Sequence, residues 1–330
     1  MNTESATLIT CLKDEAAFLI EWLAFHRSIG FRRFLIGAND CTDGSHEMLS
    51  RLDSRGDIEY FPFTRKENEG PQETYAKILK AAKAINEDEW LGWLDLDEFL
   101  NIHLGDGSIN ELLSRLNQAD GIRFNWRTFG VEPSTPWPGR QLHPTLCRCS
   151  RKDFGVGESF HGNRTFKSLY KYKKGMGLWA HGPIFKREHI DEKPLWLRGN
   201  GRQIRKSRFP YKPLKLVEGG PGASYLPGKP TYQWAQINHY AIRHPKLFPL
   251  RRLRGRGGTF VPTDPNFVGA DDFLDRHSER YLIRYNRTDD EDRSILHHIP
   301  AVDREMNILL EDEDLRRWHN HSHLALQAIL

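Results

Sequence analysis

Asp95 and Asp97, which are separated by a single residue, carry the strongest chemical signal in the sequence. They directly follow the apolar run Trp90-Leu91-Gly92-Trp93-Leu94, whose composition predicts a buried strand. Two carboxylates this close raise each other's pKa unless a cation lies between them. A divalent ion with oxygen ligands would supply that charge, and a nucleotide diphosphate would complete its coordination shell. The competing interpretation is that both aspartates are solvated residues at a strand end, one of them capping a following helix.

The elements that would position these carboxylates alternate between strand and helix along the N-terminal part of the chain. Strands are predicted at residues 6–11, 34–37, 58–63 and 90–94, and helices at residues 14–29, 45–52 and 71–85. Gly30 is expected to end the first helix in a left-handed conformation. This βαβαβαβ order predicts an α/β fold with a mostly parallel central sheet, right-handed crossovers and helices on both faces.

Three polar clusters follow strands of this sheet and are therefore expected at one edge of it. Lys13-Asp14-Glu15 follows the first strand, residues 39–44 follow the second, and the acidic pair follows the fourth. Ligands of open α/β sheets bind beyond the carboxyl ends of the strands. The short side chains of residues 39–45 would either only form a turn and cap the next helix, or also contact a ribose or base.

The second half of the chain is less regular. A helix is predicted at residues 108–116, strands at 121–126, 166–172 and 236–242, and helices at 271–284 and 302–318. Residues 130–139 are expected to form a loop over the site, and residues 198–230, rich in Pro, Gly and basic side chains, an insertion or a mobile loop. We predict one catalytic domain at residues 1–260 and a C-terminal helical extension at 261–330 packed on it.

The overall composition describes a globular protein with a mild basic excess. The 330 residues carry a net charge of +4, and the basic side chains concentrate in residues 198–215 and 243–256. Such local clusters favour a phosphate-bearing ligand or an anionic surface. Four cysteines do not make a disulfide framework in a chain this long, and from the polar start and the lack of 18 consecutive apolar residues we expect neither a signal peptide nor a membrane span. We expect a cytoplasmic protein that contacts the inner face of the membrane peripherally through its basic segments.

His239, at the end of a predicted apolar strand, is a candidate third metal ligand because a neutral imidazole binds transition ions alongside carboxylates. Ordinarily a single histidine in such a place is a hydrogen-bonded structural residue. The arginines that run from Arg243 to Arg256 would hold a pyrophosphate through bidentate contacts, or form a solvated helix face or a nucleic-acid patch.

These residues occur in an order that matches a known family. The matching pieces are Lys13-Asp14-Glu15, Glu21-Trp22, His26, Asn39 to Gly44, Gln72, Leu94-Asp95-Leu96-Asp97-Glu98-Phe99, Asn125-Trp126, Phe129-Gly130, Lys167, His181, Pro183, Asn238-His239-Tyr240 and Arg254-Gly255. Together they resemble the bacterial relatives of glycosyltransferase family 92, a branch of the family 2-like enzymes with the GT-A fold. The resemblance extends from about residue 7 to residue 258.

The resemblance implies an enzyme that uses a nucleotide-diphosphate sugar as donor. It implies that Asp95 meets the ribose or the metal, that Asp97 binds the metal, and that His239 is the C-terminal metal ligand. The residues expected around the donor are Lys13, Asp14, Glu15, Asn39, Asp40, Asp43, Gln72, Asp95, Lys167 and Arg254. The sequence departs from the family pattern at Asp14, where Asn is more usual, and over residues 198–230, which have no recognised counterpart.

The expected reaction is sugar transfer, with inversion, to a hydroxyl of a glycan or glycolipid. Mn²⁺ or Mg²⁺ held by Asp97, His239 and the diphosphate would assist departure of the nucleotide. A carboxylate base would activate the acceptor, and the candidates are Glu158 and Asp153, ranked equal, followed by Glu98. Trp126, Trp137 and Trp179 would stack on acceptor sugars, although buried aromatic residues more often belong to a core.

Two other functions would use the same segments but fit the sequence less well. A nucleotidyltransferase would use the same metal pair, but it normally carries a Gly-rich loop after the first strand, and Cys11-Leu12-Lys13-Asp14 contains no glycine. A nucleic-acid-binding protein using residues 243–256 would lose binding steeply with salt, would not need Asp97, and would carry a larger positive charge than +4. We therefore expect no nucleic-acid partner.

Overall fold

The computed structural model of the chain describes residues 6–66, 69–186, 194–204, 224–254 and 279–330. In these residues the central sheet has the strand order β3-β2-β1-β4-β8-β6-β10-β5, with β9 paired to β6. The strands are β1 (Ala6–Leu12), β2 (Arg33–Asn39), β3 (Glu59–Phe63), β4 (Trp90–Trp93), β5 (Glu98–Ile102), β6 (Gly121–Thr128), β7 (Arg148–Cys149), β8 (Phe166–Lys171), β9 (Trp196–Arg198), β10 (Ala235–His239) and β11 (Asp290–Glu291).

The sheet is mostly parallel, as predicted. Strands β3, β2, β1 and β4 form a parallel block, in register from Thr7 opposite Arg33 and from Ala6 opposite Trp90. Strand β8 is antiparallel to both β4 and β6, which restores the original direction in β6, β9 and β10. Strand β5 pairs antiparallel with β10 at the far edge. The carboxyl ends of the parallel strands therefore meet at one edge of the sheet.

Helices cover both faces of this sheet, which confirms the predicted α/β fold class. On one face α1 and the C-terminal helices pack over a core that includes Leu8, Phe34 and Ile36. On the other face α3 packs through Tyr75 over the alternating residues of the same strands. The helices are α1 (Ala16–Ser28), α2 (Ser45–Ser54), α3 (Pro71–Ala81), α4 (Ile109–Ser114), α5 (Phe248–Arg254), α6 (Glu279–Tyr285), α7 (Ile299–Leu310) and α8 (Glu313–Gln327).

One predicted element in the C-terminal half was wrong, and one strand beside the acidic pair was not predicted. The single helix expected at residues 302–318 is two helices, because the carboxylate of Asp312 accepts hydrogen bonds from the backbone N–H groups of Asp314 and Leu315 and starts α8. Strand β5 was missed, since residues 98–102 continue the apolar run after the acidic pair without a turn signal.

The C-terminal helices α7 and α8 pack against α1, and Trp318 of α8 lies against Gly44 in the loop that follows β2. The division into domains at residue 260 stays a prediction. Residues 271–278 of one predicted helix and residues 205–223 of the predicted insertion lie outside the described part of the chain. None of the described helices combines the length and the apolar content needed to cross a bilayer.

Candidate functional site

The loops that follow β1 and β2 meet at the carboxyl edge of the sheet, as predicted. The backbone N–H of Thr42 donates to Asp14 Oδ1 at 2.6 Å, and the backbone N–H of Asp14 lies 3.4 Å from Cys41 Sγ. Asp14 and Asp40 have positive φ angles of 51° and 49°, which non-glycine residues seldom adopt. Strained backbone of this kind accumulates at functional sites.

Asp43 occupies the position at which two helices begin. Its Oδ2 accepts the backbone N–H of Ala16 at 2.8 Å, and its Oδ1 accepts the backbone N–H of Ser45 at 3.0 Å. One carboxylate thus satisfies free N–H groups at the start of both α1 and α2. The contacts of Asp43 correspond to the turn-and-cap interpretation. One potential ligand atom each from Asp14, Cys41 and Asp43 lies within 4.8 Å of the others. Asp14 Oδ1, Cys41 Sγ and both oxygens of Asp43 also take part in hydrogen bonds within these loops.

Asp95 is joined to two other predicted donor-site residues. Lys167 Nζ lies 3.0 Å from Asp95 Oδ2, and Gln72 Nε2 donates to Asp95 Oδ1 at 3.1 Å. The side chain of Lys167 is fully buried, whereas that of Asp95 is 35% exposed. Burial alone would lower the pKa of Lys167, but the charges of Asp95 and Glu98 raise it above its ordinary value. An ammonium group of the protein itself therefore supplies positive charge beside Asp95.

Glu98 is fully buried behind Asp95. Its Oε2 lies 2.9 Å from Lys167 Nζ and accepts the backbone N–H of Asp95 at 2.8 Å, while its Oε1 accepts the indole N–H of Trp126 at 2.8 Å. Burial raises the pKa of Glu98 above its ordinary value, and the Lys167 ammonium opposes that rise. Because both oxygens are occupied by protein donors, Glu98 is suited to positioning Lys167 and Trp126.

Asp97 and His239 meet, although 142 positions separate them in the chain. The antiparallel register of β5 and β10 places His239 opposite Glu98, and the backbone N–H of Tyr240 donates to the carbonyl of Asp97 at 2.8 Å. His239 Nε2 then lies 3.8 Å from Asp97 Oδ1, and both side chains are buried.

The charge state of this pair follows from its surroundings. Burial lowers the pKa of His239 to about 4, so the imidazole is neutral at pH 7. Burial would raise the pKa of Asp97, but His239 and the guanidinium groups of Arg243 and Arg251 lower it. Arg251 Nη1 donates to Asp97 Oδ2 at 3.2 Å.

A divalent cation fits Asp97 and His239 as a two-residue ligand set. A carboxylate oxygen of Asp97 and Nε2 of the neutral His239 ring face each other at 3.8 Å. Mg²⁺ and similar ions are commonly held by one or two side chains together with substrate phosphates. Asp95, the third predicted ligand, contacts Lys167 and Gln72.

The backbone of the acidic motif is held from three directions. The carbonyl groups of residues 96–98 each accept one hydrogen bond from a different part of the chain. The donors are Gln141 Nε2 to Leu96, the backbone N–H of Tyr240 to Asp97, and Trp22 Nε1 to Glu98. The motif is therefore rigidly placed before any ligand binds.

Sequence reasoning missed part of the support of this site. Arg243, with φ of 58°, donates to Glu15 Oε2 at 2.8 Å and to Gln141 Oε1 at 3.0 Å. Glu21 in turn accepts the backbone N–H groups of Gln141 and Leu142. Glu21 stood in the family pattern, but Gln141 lies in an irregular loop without periodicity, so no sequence signal pointed to it.

The other predicted site residues lie around or outside this group. Lys13 is half-buried at the end of β1, and Asn39 donates to the exposed Asp40 at 3.0 Å. Asp153 and Glu158, the first-ranked base candidates, both pair with Arg151 on a loop, at 3.1 and 2.6 Å. The side chain of Arg254 lies outside the described residues, while Arg251 of the same helix reaches Asp97.

The chain shows a distant likeness to solved structures. Matches include TarS of S. aureus (12% identity, 51% of this chain and 28% of that chain, TM-score 0.30). They also include HddC of Yersinia pseudotuberculosis (8% identity, 50% and 76%, TM-score 0.28). A third is TarS 1–349 in complex with UDP-GlcNAc (12% identity, 51% and 45%, TM-score 0.30). TM-scores this low carry no conclusion about function.

The sequence relatives are more specific. A glycosyltransferase family 92 protein of Oryza sativa subsp. japonica is 32% identical over 143 residues, which cover 42% of this chain and 23% of that protein. One of Ricinus communis is 28% identical over 142 residues, covering 40% and 24%. The chain thus spans about a quarter of the length of these relatives. The family model described as glycosyltransferase family 92 matches residues 7–195, more than half of the chain. This chain therefore belongs to glycosyltransferase family 92.

Proposed function

We propose that this chain transfers a sugar from a nucleotide-diphosphate sugar to a hydroxyl group of a glycan or glycolipid, with the help of Mn²⁺ or Mg²⁺. The observation that carries the proposal is the approach of Asp97 to His239, 3.8 Å apart, beside Asp95 at the carboxyl edge of the sheet in a chain of this family. Parallel sheets bind their ligands at that edge.

The donor would lie along the edge in a defined direction. The loops after β1 and β2, with Lys13, Asp14 and Asp40, would receive the nucleoside. The diphosphate would lie at the Asp97–His239 pair, where the cation would neutralise charge on the leaving group. Arg251, which contacts Asp97, and Lys167, which contacts Asp95, add fixed positive charge at the same place.

The transfer itself would proceed with inversion at the anomeric carbon. The acceptor oxygen forms a bond to that carbon while the bond from the carbon to the diphosphate oxygen breaks, and the hydroxyl proton passes to a carboxylate base. Asp153 and Glu158 remain the base candidates, because Glu98 is buried and engaged by Lys167 and Trp126. The acceptor type and a peripheral contact with the inner face of the membrane stay part of the proposal.

A thermal-shift panel of nucleoside diphosphates with and without Mn²⁺ tests the metal and nucleotide assignment. At a ligand concentration of 100 times Kd, binding adds about 2.7 kcal/mol of stability, which is on the order of 5 °C in Tm. One nucleotide should give this shift only with Mn²⁺, and Asp97→Asn should abolish the metal-dependent part. Asp88→Asn, which alters an exposed ion pair with Lys173, is the matched control. Full retention of the shift in Asp97→Asn would contradict the ligand assignment.

A further inference from the structure

A row of aromatic side chains leads away from the Asp97–His239 pair. The ring of His239 lies 4.0 Å, centroid to centroid, from the ring of Trp126. Trp126 is followed by His181 at 6.1 Å, and His181 by Trp179 at 4.8 Å. Trp126, His181 and Trp179 are each only half-buried, whereas His239 is buried. The row therefore begins at the proposed metal pair and continues towards the surface.

The first ring of the row is locked in place. Trp126 Nε1 donates to Glu98 Oε1, so the buried carboxylate that also holds Lys167 sets the orientation of the indole. A ring held in this way loses little conformational freedom when a ligand stacks on it.

The outer rings are carried by a turn that is fastened to β8. Ser168 Oγ donates to the carbonyl of His181 at 2.7 Å, and His181 Nδ1 lies 2.8 Å from the carbonyl of Phe166. Gly182 has φ of 152°, and a Cβ at this position would lie 2.8 Å from Ser168 Oγ. The turn can approach the strand this closely only because residue 182 is a glycine.

The strand order locates the aromatic row relative to the proposed donor position. The loops proposed to receive the nucleoside follow β1 and β2, on one side of the aspartates that follow β4. Strands β8 and β6, which carry Lys167 and Trp126, lie between β4 and β10, whose last residue His239 meets Asp97. Because the row starts at the ring of His239, the sugar of a donor whose diphosphate lies at the Asp97–His239 pair would lie next to its inner end, and the acceptor would approach along the row.

We propose that Trp179 and His181 form a binding subsite for a sugar ring of the acceptor, so that the acceptor is a saccharide recognised by stacking. This inference rests on the proposed function and specifies its acceptor. Aromatic rings bind the C–H face of a pyranose, and the polar edges of the ring remain available for hydrogen bonds and for attack. An acceptor without a sugar ring next to the reacting hydroxyl would not use this surface.

The test measures sugar transfer. The donors are nucleotide sugars that carry the base identified by the thermal-shift panel, and the acceptors are the methyl glycosides of glucose, galactose, mannose and N-acetylglucosamine. Trp179→Ala should raise the acceptor KM about five- to tenfold, the loss expected for one stacking contact. Trp179→Phe, which keeps an aromatic ring, should have an acceptor KM close to that of the wild type. Trp234→Ala removes a half-buried tryptophan at the opposite end of β10 from His239 and should leave KM unchanged.

The outcomes separate this inference from the proposed function. If the wild-type protein shows no metal-dependent nucleotide shift, the proposed function fails. If that shift is present but no methyl glycoside is glycosylated, the saccharide subsite is wrong. If transfer occurs and Trp179→Ala changes the acceptor KM no more than Trp234→Ala does, the assignment of Trp179 is wrong.

Discussion

Lys167 offers the most direct test of how this site is built. Its ammonium group is fully buried and lies 3.0 Å from Asp95 Oδ2 and 2.9 Å from Glu98 Oε2. Lys167→Met removes this cation and leaves the carboxylate of Glu98 buried without its partner. Removal of one partner of a buried ion pair costs about 3–5 kcal/mol, a large share of the roughly 5–15 kcal/mol by which domains are stable.

A double-mutant cycle with Glu98→Gln isolates the interaction between the two side chains. Urea unfolding followed by tryptophan fluorescence gives the free energies of unfolding of the four proteins. We expect the double variant to be more stable than the sum of the single losses predicts, by about 1–3 kcal/mol. The loss in Lys167→Met should also be smaller at pH 5 than at pH 8. Without the ammonium the pKa of the buried Glu98 rises further, so the variant alone continues to lose stability at pH values where the wild-type carboxyl is already ionised.

Lys173→Met is the matched control, because Lys173 forms a 2.6 Å ion pair with the exposed Asp88. Surface pairs of this kind contribute about 0–1 kcal/mol. A cost below about 1 kcal/mol for Lys167→Met, or strict additivity in the cycle with Glu98→Gln, would refute the reasoning.

Two further predictions concern the elements that support the site. Asp312→Ala should lower the free energy of unfolding by about 1–2 kcal/mol through loss of the α8 cap, and Asp312→Asn, which keeps the cap, by less. The hydrogen bond from Arg51 lowers the pKa of Asp312 to about 2, so the stability it contributes is present above pH 4 and is lost as the pH falls through about 2. Urea unfolding at pH 7 and pH 2 measures this contribution. If Asp312→Ala lowers the free energy of unfolding equally at the two pH values, the prediction is wrong. Burial lowers the pKa of His26 to about 3, so its neutral ring contributes stability above pH 6.5 that is lost as the pH falls towards 3. His26→Asn retains a donor to the Trp22 carbonyl. Between pH 6 and pH 3 it should reduce the slope of the free energy of unfolding against pH by up to about 1.4 kcal/mol per pH unit, and an unchanged slope would count against this role of His26.

Much of the fold was predictable because its signals are local. The alternation of apolar strands with amphipathic helices over the first four strands depends on neighbouring residues. The structure reproduces these elements, and their first and last residues differ from the predicted ones by a few positions. Gly30 has the expected positive φ of 105°. The parallel order then requires the ends of β1, β2 and β4 to share one edge, which places Asp14, residues 39–44 and Asp95 together.

Local signals failed where a contact between distant segments determined the result. Residues 98–102 became a strand because β10 pairs with them, and residues 302–318 were divided because Asp312 caps a new helix beside Arg51. The residue type of His239, its place at a strand end and the family resemblance had suggested a ligand beside Asp97, but no spacing in the chain predicted the β5–β10 register that brings the two together.

Residue types and their order were sufficient for the fold class and the family, and for the edge of the sheet at which the candidate site lies. The partner of each charge was decided by packing. Lys167 and Arg251 neutralise Asp95 and Asp97 because β8 and α5 bring them within hydrogen-bond distance, and Glu98 is buried because Trp126 and Lys167 enclose it. Electrostatic interaction and desolvation depend on distances and burial in three dimensions, and these quantities exist only once the distant strands have been brought together.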